Sequence, residues 1–118
     1  MRRNALVVFA VATLMLTGSN AAVAAVSSSI SVKYNQTTEF FHGAVRSSNA
    51  ECEAGRIVKL YKLTSSGRSL QGRDRTNKRG VWRVEVMNPH GKYVAAAHKM
   101  SAMHVTCARA RSRTLDVM

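Results

Sequence analysis

The chain has 118 residues, of which 46% are hydrophobic, and it carries 18 Lys and Arg against 6 Asp and Glu, a formal net charge of +12 at pH 7. This length gives room for one domain, and the hydrophobic fraction is that of a globular protein, so a multidomain enzyme and a wholly disordered chain are both excluded. A small and strongly basic domain remains.

The N-terminus has the three parts of a secretory signal peptide. Arg2 and Arg3 precede an apolar run over residues 5–16, and a stretch of small residues that includes Ala24 follows. This order predicts cleavage after Ala24. An uncleaved membrane anchor is the alternative, but the apolar run is shorter than the ~20 residues that a spanning helix needs.

The cleavage site divides the chain into a signal peptide over 1–24 and a single exported domain over 25–118. We therefore expect the protein to be secreted, either extracellular or in the cell envelope, with no stable membrane insertion after cleavage.

Cys52 and Cys107 are the two cysteines of the chain. An even number of cysteines in a short exported protein is most simply a disulfide, and closing so long a loop stabilises by roughly 4 kcal/mol in the loop-entropy model. A thiolate metal site or a catalytic cysteine are the alternatives. The sequence has no C-x-x-C motif, and a nucleophilic cysteine also needs a base and an orienting group. We predict a structural disulfide.

Beyond Ala24, apolar and polar residues alternate with the period of two that is typical of β-strands. Polar clusters containing Asn, Ser and Gly separate these segments at roughly the 8–12-residue spacing of a β-sandwich. The pattern predicts about seven strands, whose marker residues are Ile30, Val32 and Tyr34; Phe41, Gly43 and Val45; Val58 and Leu60; Trp82, Val84 and Val86; Tyr93, Ala95 and Ala97; and Leu115 and Val117. The predicted fold class is all-β, an antiparallel two-layer sandwich.

Two segments need separate treatment. Apolar residues fall on both faces of the Gly55–Leu63 run, which favours a central strand covered on both sides. The stretch His98–Met103 stays open between a short helix or turn and a strand, because its Ala and Met content favours helix whereas the preceding Tyr93-Val94-Ala95 begins as a strand.

Four segments carry more specific motifs: Phe41-His42-Gly43-Ala44-Val45, Arg56-Ile57-Val58-Lys59-Leu60-Tyr61 after Cys52, the turn Thr76-Asn77-Lys78-Arg79-Gly80-Val81-Trp82, and Gly91-Lys92-Tyr93-Val94-Ala95. Together they resemble small exported bacterial β-sandwich domains of the transthyretin-like type, which are relatives of the immunoglobulin sandwich. Asn77 departs from the Asp usual at that turn, which weighs against a bound cation there. The resemblance implies an accessory, stabilising or recognition domain and carries over no catalytic residues.

Enzyme motifs are missing from the sequence. Carboxylates are sparse, and neither G-x-S-x-G, H-E-x-x-H nor a phosphate-binding G-x-x-x-x-G-K-[ST] occurs. His98, Met100 and His104 offer ligand types that suit copper, but Met100 is equally explained as a core residue. We therefore predict a protein that is not an enzyme and has no metal site and no cofactor.

Charge is the stronger functional signal, and it is concentrated in two groups. The first comprises Arg68, Arg73, Arg75, Lys78, Arg79 and Arg83, and the second comprises Arg109, Arg111 and Arg113. The spacing of two in the second group would place three guanidinium groups on one face of an extended strand. Such groups attract phosphate or sulfate polymers in a salt-sensitive way. The alternative is a solvated surface that keeps the protein soluble or protects an edge strand.

These observations predict a non-enzymatic structural or binding module of the extracytoplasmic space, whose partner is a protein or an anionic envelope polymer. The alternative is a polyanion-binding protein in which the basic groups engage cell-wall phosphate polymer, anionic envelope or nucleic acid. Specific recognition of nucleic acid is not expected, because most aromatic residues occupy predicted core positions and leave no platform on which bases could stack. The pattern leaves only Phe40 and Tyr61 exposed. We expect a monomer.

Overall fold

A computed structural model describes residues 24–118 and shows an all-β protein. The strands are β1 (Ser28–Ile30), β2 (Lys33–Asn35), β3 (Phe40–Ser47), β4 (Ile57–Thr64), β5 (Gly67–Arg75), β6 (Val81–Glu85), β7 (Gly91–Ala97), β8 (Met100–Ala102), β9 (Val105–Cys107), β10 (Ala110–Arg111) and β11 (Leu115–Val117). A 3-10 turn over Ala50–Cys52 joins β3 to β4. The described part of the chain contains no helix that is long and apolar enough to cross a membrane. Apart from Ala24, the predicted signal peptide lies outside the described residues.

Nine of the strands form two antiparallel sheets, and β8 and β9 pair separately with each other. In the first sheet, β1 and β2 lie end to end along one side of β3, and β6 pairs with its other side. In the second sheet, β10 and β11 lie end to end along β7, which is followed by β4 and then β5. The all-β, antiparallel fold class is confirmed, and the two sheets together are consistent with the predicted sandwich.

One hydrophobic core joins the two sheets. The ring centroid of Phe41 on β3 lies 4.8 Å from that of Tyr34 in the same sheet and 4.6 Å from that of Tyr93 in the second sheet. The other buried members come from both sheets as well: Ile30, Val32, Val45, Val58, Leu60, Trp82, Val84, Ala95, Ala97 and Ala110. Along β4 and β6 these residues recur at every second position, and this burial of one face is the physical reason why the period of two predicted those strands correctly. In β7 the outward-facing Val94 is buried as well.

The strand predicted through Ile30, Val32 and Tyr34 is interrupted. Between β1 and β2 the Ser31 hydroxyl accepts a hydrogen bond from the backbone N of Ala44 at 3.0 Å, so a side chain takes the place of a backbone acceptor in the ladder. The carbonyl of Ser31 then lies directly over Gly43, where a Cβ atom would overlap it. Gly43 is therefore required by close packing of two backbones.

The predicted disulfide between Cys52 and Cys107 is confirmed. It joins the 3-10 turn to β9 across a separation of 55 residues, and the two Cα atoms lie 5.4 Å apart. Both cysteines are fully buried. A buried disulfide indicates that the protein folds in a non-reducing environment.

Arg56 is fully buried beside this disulfide, and its five N–H groups all have acceptors. Its Nη1 donates to the carbonyl of Cys52 at 2.7 Å and to the hydroxyl of Ser28 at 2.9 Å. Its Nε and Nη2 both donate to the carbonyl of His98, and Nη2 also donates to that of Ala108 at 2.7 Å. Burial lowers the pKa of Arg56, but an arginine keeps its proton in proteins. The positive charge of Arg56 is thus stabilised by hydrogen bonds to oxygen atoms of four separate segments of the chain.

Two features of the fold differ from the sequence pattern. The strand β5 was not predicted, because its sequence, GRSLQGRDR, has no apolar alternation. It lies at the edge of its sheet, and its register against β4 shifts between Leu60 and Tyr61. The stretch His98–Met103 is not helical: β8 and β9 form a hairpin, in which Met100 pairs with Cys107. The disulfide fixes that hairpin to the body of the domain, which overrides the helix propensity of Ala and Met.

Candidate anion-binding face

The register of the second sheet arranges its outer side chains in rows that run across the strands. Arg111 of β10 is paired with Ala96 of β7, Ala96 with Lys59 of β4, and Lys59 with Arg73 of β5. Directly paired residues share one face of a sheet, so this row contains three cations and one small residue. Lys59 and Arg111 lie on the two strands that flank Ala96. The usual spacing between neighbouring strands therefore places their Cα atoms about 10 Å apart.

A groove of about 660 Å³ lies on this face. Tyr61 and Arg68 belong to one part of its lining, and Arg109 and Arg111 to another, with Ala96, Ala97 and Ala110 between them. His98 and Lys99 complete the lining. Because alanine is short and its neighbours are long, a hollow remains that charged side chains surround.

Arg68 is held over the ring of Tyr61. The guanidinium carbon lies 4.1 Å from the ring centroid, a cation–π contact that limits the freedom of an otherwise exposed side chain. Because Arg68 comes from β5 and Tyr61 from β4, the contact ties the edge strand to its neighbour. The stacked guanidinium keeps N–H groups free to bind an oxyanion.

The electrostatic surroundings of the groove are cationic. The pKa of His98 is lowered by burial and, in smaller part, by the positive charges of Lys59, Arg109, Arg68 and Arg73. No carboxylate belongs to the residues that line the groove. Asp116 lies on the same face at its far end, where it is paired with Lys92 at 3.3 Å. An anion entering the groove would therefore meet several uncompensated positive charges.

The structure divides the first predicted basic group between four places. Arg68 and Arg73 lie on the outer face of the second sheet, and Arg75 is turned to the end of β5, where its Nη1 donates to the carbonyl of Gly55 at 3.1 Å. Lys78 and Arg79 are exposed in the turn before β6. Arg83 is in the first sheet, with its guanidinium carbon 4.8 Å from the ring centroid of Phe40.

The second predicted group is brought only partly together. Arg109 and Arg111 line the groove, but Arg113 does not belong to its lining. The chain leaves strand geometry after Arg111, where the buried Ser112 accepts a hydrogen bond from the backbone N of Ala95 at 2.9 Å through its hydroxyl. This break is why the three arginines do not form the continuous row expected of an extended strand.

Three polar groove residues were in neither predicted group, namely Tyr61, His98 and Lys99, and neither was Lys59, which is paired with Ala96 beside the groove. A signal for two of them was present, because Lys59 and Tyr61 alternate with the buried Val58 and Leu60 and must share the opposite face. His98 and Lys99 could be placed only once the segment after β7 was known to be extended.

A second cavity and the candidate metal ligands give less support for a binding site than the groove does. A second cavity of about 630 Å³ lies between β2 and β11, and its lining mixes Lys33 and His42 with Asp116 and uncharged residues. Among residues 24–118, no three His, Cys, Asp or Glu side chains are close enough to hold a metal ion together. His104, considered above as a copper ligand, is exposed in the turn of the β8–β9 hairpin.

No family model, curated protein or solved structure matches this chain.

Proposed function

We propose that this protein is an exported binding domain, not an enzyme, whose basic groove holds an anionic polymer that carries phosphate or sulfate groups. The observation that carries the proposal is the convergence in one groove, next to Ala96, of Arg68 from β5 with Arg109 and Arg111 from the distant segment at β10. The chain has no motif of an active site, which is consistent with binding as its role.

A purely solvated basic surface accounts for this geometry less well. Solubility requires only that charges be exposed and spread out, because like charges that are close together repel one another. Here Lys59 and Arg111 flank a short residue within one row, and the guanidinium of Arg68 is stacked on the ring of Tyr61. Guanidinium groups with restricted orientation suit the tetrahedral oxyanions of phosphate and sulfate, to which they donate two hydrogen bonds at once.

The site of action follows from the signal peptide pattern and the disulfide. Export under a cleaved signal over 1–24 would bring the domain to an oxidising compartment, and the buried bond between Cys52 and Cys107 requires such conditions to form. The resemblance to transthyretin-like sandwiches supports the same role, since domains of that type are accessory or recognition modules. The polymer is therefore expected outside the cell or in its envelope.

The test compares two double variants that remove equal charge. Arg109→Ser with Arg111→Ser acts on the groove, whereas Lys78→Ser with Arg79→Ser acts on an exposed turn outside it. Affinity is measured by fluorescence anisotropy on labelled heparin, polyphosphate, single-stranded DNA and polyglutamate over a range of salt concentrations. We expect the groove variant to bind heparin and polyphosphate about tenfold more weakly or worse, since each charged hydrogen bond is worth about 1.5 kcal/mol.

The slope of log affinity against log salt should also become shallower in the groove variant, by about 1.5 for two lost contacts. The turn variant should change much less. Equal losses in both variants would show that net charge, not the groove, is responsible. Binding of polyglutamate as tight as that of polyphosphate would contradict the preference for phosphate and sulfate oxyanions, and selective binding of DNA would identify nucleic acid as the polymer.

A further inference from the structure

His98 is the one histidine in the lining of the groove, and its position follows from the strand register. Its backbone N donates to the carbonyl of Ile57 at 2.9 Å, which continues the pairing of β7 with β4 by one residue. Residues 96 and 98 therefore point to the same face, about 7 Å apart along the chain. The half-buried imidazole thus stands next to the hollow above Ala96.

We propose that binding of a phosphate or sulfate group in the groove is coupled to protonation of His98, so that the protein holds anionic polymer more tightly as the pH falls from about 7.5 to about 5.5. This inference rests on the proposed function, because it assigns a regulator to the same groove.

The groups that face His98 make it the residue that responds to pH in this range. They are all cationic: Lys59 from β4, Arg68 and Arg73 from β5, Lys99 after β7, Arg109 before β10 and Arg111 on β10. On the other side, the guanidinium of Arg56 is bonded to the carbonyl of His98 itself. Lysine and arginine side chains do not titrate between pH 5 and pH 8, so a change of charge in the groove must come from the imidazole.

The direction of the coupling follows from the charges. In the free protein, burial and the surrounding cations keep the pKa of His98 below its ordinary value, so the imidazole is mainly neutral at pH 7. A bound oxyanion adds negative charge beside the ring and favours its protonated form, which raises the pKa in the complex. Affinity then rises as the pH falls through the interval between the two pKa values, by tenfold for each unit that separates them.

The experiment measures the affinity of the oxidised protein for labelled polyphosphate and labelled heparin at pH 7.5, 6.5 and 5.5 and at constant ionic strength. The variants are His98→Asn and, as the matched control, His104→Asn, which removes an exposed histidine outside the groove. We expect the wild-type protein and the control to bind about five- to tenfold more tightly at pH 5.5 than at pH 7.5, a factor that corresponds to a shift of about one pKa unit. The His98→Asn variant should change by less than about twofold.

Thermal melting of both variants at each pH verifies that they are folded. A rise in affinity that is the same in His98→Asn as in the wild-type protein would overturn the coupling and leave the proposed function intact. So would binding by the wild-type protein that does not change with pH. Absence of binding by the wild-type protein at every pH would overturn the proposed function, and the coupling with it. Equal behaviour of polyphosphate and heparin would mean that the site recognises both oxyanions, whereas a response to one polymer would identify phosphate or sulfate as the group that the site binds.

Discussion

Replacing Arg56 by methionine should destabilise the domain strongly. Methionine is similar in length but has no N–H groups, so the carbonyls of Cys52, His98 and Ala108 and the hydroxyl of Ser28 would lose five hydrogen bonds from a fully buried guanidinium. At about 1 kcal/mol for each lost bond, less where water reaches a partly buried acceptor, the free energy of unfolding should fall by about 3–5 kcal/mol. That is a large share of the 5–15 kcal/mol typical of a domain.

The measurement is urea denaturation under non-reducing conditions, so that the disulfide stays intact in every variant, together with a melting temperature that should fall by more than about 12 °C. Arg46→Met is the matched control, because the Nη1 of Arg46 also donates to two carbonyls, those of Val45 and Arg79, but the residue is exposed. The free energy of unfolding of this variant should fall by less than about 1 kcal/mol. If Arg56→Met unfolds within about 0.5 kcal/mol of the wild-type protein, the hydrogen bonds of the guanidinium do not hold these segments together and the reasoning is refuted.

Two further changes test the packing of the fold. Replacing Cys52 and Cys107 by serine together should lower the melting temperature by more than about 10 °C, from the ~4 kcal/mol of loop entropy, and an unchanged melting temperature would contradict a stabilising role of the disulfide. Gly43→Ala should reduce the free energy of unfolding by about 2–3 kcal/mol, because the new Cβ would overlap the backbone carbonyl of Ser31. In urea denaturation Gly72→Ala should lose less, since the new methyl group there meets a side-chain methyl group of Val84 and not a backbone atom. A smaller loss at Gly43 than at Gly72 would show that the two backbones separate easily.

The strands that sequence analysis predicted correctly are those that have one face in the core. Trp82 and Val84 alternate with exposed residues in β6, and Tyr93, Ala95 and Ala97 recur at every second position of β7, where the intervening Val94 is buried and Ala96 is half-buried. The strand β5 could not be found by that signal, because its residues are mainly polar and it has a neighbour on one side only. Its strand conformation depends on backbone pairing with β4, which apolar periodicity does not report.

Arg56 shows a second limit of the sequence. A basic residue in front of an apolar strand is most simply exposed, and arginine is almost never buried without a partner. Here the partners are the hydroxyl of Ser28 and backbone carbonyls, two of which belong to Cys52 of the disulfide and to Ala108 next to Cys107. A sequence does not show which backbone carbonyls will be turned toward a given side chain. The disulfide itself was predictable because its chemistry lies in two side chains; the arginine beside it became apparent only with the fold.

For the candidate site, sequence proximity was a poor guide and strand register a good one. Arg68 and Arg83 belong to one basic stretch of the chain but lie in different sheets, whereas Arg111 shares a row with Lys59, which belongs to neither predicted group. Charge composition can show that a protein has an excess of cations, and this alone predicts weak, salt-sensitive attraction of any polyanion. A binding site needs in addition a space that cations surround, and here that space exists because the residue between Lys59 and Arg111 is alanine. A longer residue at position 96 would fill the hollow without changing the net charge of the domain.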